Sequence, residues 1–127
     1  MGDIETIQNG GTTEFNSNIQ VIMRLHELIN RANFYSGGNT INDLQSWHSI
    51  LLTIDRELYP LMNKKETEKI LLLRKRAAVP FLPRPDNSFI RLQKLELDDY
   101  ERELRIIMYS KGLGVKAGMK ASEAIMR

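Results

Sequence analysis

Two histidines, His26 and His48, are the side chains best suited to acid–base or metal chemistry near neutral pH, and the chain has no cysteine. A zinc site on a helix needs a second ligand at i+3 or i+4, because only those positions share a face with the first. His26 has Asn30 at i+4 and His48 has Leu52, so neither opens such a pair. The Glu-x-x-His repeats of a di-iron carboxylate bundle are missing too. Without cysteine there is no thiol nucleophile, disulfide, iron–sulfur cluster or thiolate zinc site. The expectation is no metal and no cofactor. His48 follows Trp47 on a core-facing stretch, which suits a packed histidine.

Carboxylates offer the other route to catalysis. Asp98, Asp99, Glu101 and Glu103 lie close together, but a general acid and base need environments that separate their pKa values. Acids crowded at a helix start serve the positive end of its dipole instead. Nucleophile-elbow, P-loop and dinucleotide-binding motifs are absent. Gly112-Leu113-Gly114-Val115-Lys116-Ala117-Gly118 follows a helix rather than a strand, and its third glycine falls one position late for a phosphate loop. No residue is assigned a catalytic role, and the protein is expected not to be an enzyme.

The charge is unevenly distributed. Lysine and arginine total 18 against 16 acids, a net charge of +2, yet Lys64, Lys65, Lys69, Arg74, Lys75, Arg76 and Arg84 cluster. Such a cluster could neutralise several phosphates, which makes non-specific nucleic-acid binding the alternative reading. Leu71, Leu72 and Leu73 interrupt it, however, and no exposed aromatic residue is expected to interleave and stack on bases. Acidic residues dominate 1–16 and 96–103, while the last residues are basic again. Blocks of opposite sign suit contact between chains.

Apolar spacing supplies the elements. Ser17-Asn18-Ile19-Gln20 has the form of a capping box, and Val21, Leu25, Leu28, Ala32 and Tyr35 follow on one helical face up to Gly37-Gly38. Thr40 with Asp43 caps a second helix through Leu44, Trp47, Leu51, Ile54 and Leu58, ended by Pro60. The short connection between them predicts an antiparallel hairpin. Asn63 with Glu66 opens a third helix through Ile70, Leu73 and Ala77, followed by a connector over 80–85 holding three prolines. Residues 88–97 are open between extended and helical, because Asp98-Asp99-Tyr100-Glu101 could cap a new helix through Leu104 and Ile107. Gly112 ends that helix.

The fold expected is all-α: an irregular bundle of three to four helices over 17–111, with an N-terminal arm at 1–16 and a tail at 112–127. The predicted core is Val21, Leu25, Leu28, Leu44, Trp47, Leu51, Ile54, Leu58, Ile70, Leu73, Tyr100, Leu104 and Ile107. No apolar run spans a bilayer, and the acidic start lacks a secretory h-region, so no membrane partner and an intracellular or virion location are expected. With no catalytic constellation, the leading expectation is a structural subunit assembling with other protein chains, a virion component being one case. Its apolar anchors would be Phe15 on the arm, Phe81 and Leu82 on the connector, and Leu113, Val115 and Met119 on the tail.

Overall fold

A computed structural model describes residues 10–80, 82 and 84–113, with side chains from residue 19 onward. Among the described residues there are four helices in order, α1 (Gly10–Ser36), α2 (Ile41–Leu58), α3 (Lys64–Ala77) and α4 (Asn87–Ser110). A single 3₁₀ turn, Tyr59–Leu61, carries Pro60 and ends α2 where proline removes the backbone donor. Helix α1 packs on α2 as an antiparallel hairpin, and α4 packs against both α2 and α3.

The helix starts are set by side chains that satisfy orphan amides. Thr40 accepts from the Asp43 amide while the Asp43 carboxylate takes the Thr40 amide, and Asn63 and Glu66 repeat the reciprocal pair at α3. Glu66 also binds Lys111 Nζ at 2.8 Å, joining the start of α3 to the end of α4. That contact with Lys111, helped by the Asn63 amide, holds the Glu66 carboxyl below its usual range. In the α1–α2 hinge a Cβ on Gly38 would fall 2.7 Å from the Asp43 Cβ, so glycine keeps the cap in place.

Helix α4 ends in a Schellman turn. Gly112 is left-handed at φ 69, the Leu113 amide donates to the Met108 carbonyl, and the Gly112 amide donates to that of Tyr109. The turn folds Leu113 back beside Met108 in the core.

The core forms where the apolar stripes meet, with Trp47, Tyr100, Leu25, Leu44, Leu51, Ile54 and Leu104 closed to solvent. Every predicted core residue is buried except Val21, which is half-buried and packs at the edge.

Three boundaries differ from the sequence expectation. Helix α1 begins at Gly10, ahead of the Ser17 cap, so the arm is helical from residue 10; lengthening an existing helix needs no new nucleus. Helix α4 is continuous across Asp98, and the cap is Asp86, whose carboxylate accepts from the Phe89 amide at 2.7 Å. The reason is a buried stripe of Ile90, Gln93, Leu97, Tyr100 and Leu104, unbroken in its 3–4 spacing because Gln93 fills a core position. Gln93 Nε2 donates to the Ala77 carbonyl at 2.9 Å, satisfying the end of α3. Finally, the tail cannot begin at 112, since Leu113 belongs to the core.

Candidate interaction surfaces

The titratable side chains singled out by chemistry are spread through the bundle. His48 lies on α2 with its ring centroid 6.3 Å from that of Tyr100 on α4. Its Nε2 is shut off from solvent and has no hydrogen-bond partner. Burial therefore lowers its pKa below the ordinary 6.5. The unfolded chain then binds more protons on the acid side of pH 6.5, so stability falls as pH drops from there toward the folded-state value. Stability measured by urea unfolding between pH 7 and 5 is expected to decline less in His48→Leu than in the natural chain. Equal slopes in the two proteins would show that His48 is not the group responsible. Among the described residues, no group of three histidines or acids is placed to hold a metal ion.

The acids of α4 point to different partners. Glu101 is buried and accepts from Trp47 Nε1 at 2.8 Å on α2 and from Arg105 Nη2 at 2.6 Å. Arg105 reaches on to Asn33 Oδ1 of α1 at 3.0 Å, so one network ties three helices. Glu103 pairs with Lys69 at 3.1 Å and Asp99 with Arg102 at 3.4 Å.

A second buried cluster lies between α2, α3 and α4. Arg74 binds both oxygens of Asp55 through Nε at 2.8 Å and Nη2 at 2.9 Å, and the Tyr100 hydroxyl also donates to Asp55. Burial, then the Asp55 hydrogen bond, raises the Tyr100 pKa far above its ordinary value, so the phenol keeps its proton. The cluster floors an open groove of about 430 Å³ lined by Leu52, Asp55, Arg56, Tyr59, Pro60 and Arg74. Asp55 accepts three hydrogen bonds, two from Arg74 and one from Tyr100, which ties α2 to α3 and α4 at the floor of the groove.

The basic cluster separates into two groups. Arg74 turns inward to Asp55 and Lys69 is held by Glu103. Lys64, Lys65, Lys75 and Arg76 remain on the exposed side of α3 around Leu71 and Leu72, and Arg84 is exposed on the connector.

Of the anchors expected to meet neighbouring chains, Leu113 is corrected: it is buried in this chain's own core through the glycine turn. Leu82 is exposed. Phe81, Val115 and Met119 lie outside the described residues, as does the Phe15 side chain.

The sequence reading missed the outer helix faces. Ile19, Met23 and Phe34 are exposed along α1, at positions that return to one side of the helix. On α4, Leu92 is 64% exposed, Leu95 57%, Tyr109 37% and Ile106 36%. The available signal was a second apolar period on α4, offset from the core stripe. No known family pattern, curated protein or solved structure matches this chain. No helix among the described residues is long and apolar enough to cross a membrane.

Proposed function

We propose that this protein is a non-enzymatic assembly subunit whose outer helix faces dock other protein chains within a larger particle, a virion being one such particle. The observation that carries this reading is the exposure of large apolar side chains on two helix faces, Met23 and Phe34 on α1 and Leu92 and Leu95 on α4. Isolated exposed leucines are ordinary, but apolar side chains aligned on one helix face suit an interface. The buried ion pairs agree with this reading, since they spend the interior charges on holding the helices in a fixed arrangement.

The test is sedimentation of the protein in extract of its native source. The chain is expected in a particle much heavier than its own 14.7 kDa. Met23→Glu with Phe34→Glu should move it to the free fraction while leaving its helical circular dichroism unchanged. A natural chain that sediments alone overturns the reading. Release by nuclease, with the double variant still retained, would instead favour phosphate binding through Lys64, Lys65, Lys75 and Arg76, and that release should come with a steep salt dependence.

A further inference from the structure

The outer face of α4 has an internal symmetry. Leu92, Leu95, Asp99, Arg102, Ile106 and Tyr109 follow one another at spacings of 3, 4, 3, 4 and 3, the a and d positions of successive heptads. None of the six contributes to the core. The run is also complementary to its own reverse: apolar, apolar, acid, base, apolar, apolar. Two copies laid antiparallel about a two-fold axis between Asp99 and Arg102 would set Leu92 against the partner's Tyr109 and Leu95 against the partner's Ile106. Asp99 would then face the partner's Arg102, and Arg102 the partner's Asp99.

Resting on the assembly reading above, the geometry points to a second copy of this chain as the occupant of the α4 face, held as an antiparallel helix pair. A two-fold interface must be self-complementary, and this stripe is complementary to itself in only one direction. A parallel pairing would oppose Asp99 to Asp99 and Arg102 to Arg102. The Asp99–Arg102 contact within one helix is 3.4 Å long and exposed, so both groups can exchange it for a partner across the axis. Lys69 already neutralises Glu103 on the flank, which lets a second copy approach an ion pair there.

The stripe covers about 25 Å of helix at 1.5 Å per residue, so the contact falls below the standard interface size. The dimer is accordingly concentration-dependent.

The experiment is sedimentation equilibrium of the purified full chain from roughly 10 µM to 1 mM, a range that populates a weak dimer. The weight-average mass is expected to rise from 14.7 kDa toward twice that value. Asp99→Arg alone and Arg102→Asp alone should each weaken association tenfold or more, since each faces like charge with like. Mixing those two variants should restore it, because every cross-axis pair is again opposite in sign. Direction is read by cysteine placement, clean in a chain with no cysteine of its own. Leu95→Cys and Ile106→Cys chains should cross-link to each other and not to themselves.

A natural chain that stays monomeric throughout overturns the proposal, as does self-cross-linking of Leu95→Cys. Single charge variants that associate as well as the natural chain overturn the register. Each variant is checked for unchanged circular dichroism, which its exposed position predicts. Loss of the dimer with particle retention intact would leave the assembly reading standing on other faces, whereas a dimer that never enters a particle would remove that reading and keep this one.

Discussion

Arg74→Met is expected to cost about 3 kcal/mol of stability, because it breaks a buried ion pair and leaves its acid behind. The Asp55 side chain is only 3% exposed, and both its oxygens are bound by the Arg74 guanidinium. With the arginine gone, the carboxylate would keep the Tyr100 hydroxyl alone. Losing one partner of such a pair costs about 3–5 kcal/mol, and the 32% exposure of Arg74 lets water reach the vacated side, which sets the value at the lower end. Lysine should rescue poorly, since a point charge cannot reproduce a two-pronged contact. Tyr100→Phe removes a single hydrogen bond to a charged group and should cost less, about 1.5–3 kcal/mol. Asp55→Leu combined with Arg74→Met should recover most of the loss, as an apolar pair leaves no orphaned charge. Urea midpoints at constant slope measure each variant. An Arg74→Met protein within about 0.5 kcal/mol of the natural chain, the range of ordinary surface changes, would show that Asp55 is solvated some other way.

Local chemistry made much of this fold readable in advance. The Thr40–Asp43 and Asn63–Glu66 caps, the stop at Pro60 and the left-handed Gly112 each depend on residues a few positions apart, so sequence alone displays them. The core stripes of α2 and α3 were legible for the same reason. What failed were positions where a polar residue occupies a buried site. Gln93 interrupted the apolar period of α4 and made Asp98 look like a helix start, although the amide is there to satisfy the Ala77 carbonyl. Asp55 continues the interval from Leu51 to Leu58 but reads as a surface acid until Arg74 is known to lie opposite.

The candidate interaction surface shows the converse limit. Leu92 and Leu95 fall within 88–97, which the sequence leaves open between extended and helical, so they define no face until the helix is known. Once α4 is continuous, two apolar periods share one helix: the one led by Ile90 and Leu97 faces the bundle, and the one led by Leu92 and Leu95 faces out. Leu113 illustrates the opposite error. A glycine-spaced tail suggests an anchor for a neighbour, whereas the Schellman turn returns that leucine to its own helix. The backbone angle at Gly112 decides between the two.

Trp47→Ala should be the most damaging single truncation in the bundle. The side chain is 1% exposed and sits where α2 meets α4, so its removal leaves a cavity among residues already packed by Leu44, Leu51 and Tyr100. Aromatic-to-alanine changes in cores cost about 3–5 kcal/mol, a large share of the roughly 5–15 kcal/mol that holds a domain together. A second loss adds to the cavity. The indole N–H is one of the donors on buried Glu101, which would be left to Arg105. Trp47→Phe separates the two effects: it keeps most of the volume while dropping the donor to a charged group, so about 1.5–3 kcal/mol is expected. Glu101→Gln added to Trp47→Phe should then cost less than the two changes summed, since both act on one contact. Unfolding is followed by circular dichroism, because Trp47 is the only tryptophan and its fluorescence disappears with it. Equal stability of Trp47→Ala and Trp47→Phe would mean the site collapses around the smaller side chain, and that the hydrogen bond, not packing, fixes α4 against α2. The distinction bears on assembly too, because an α4 loosened from α2 could not present its outer stripe as a straight seam to another chain.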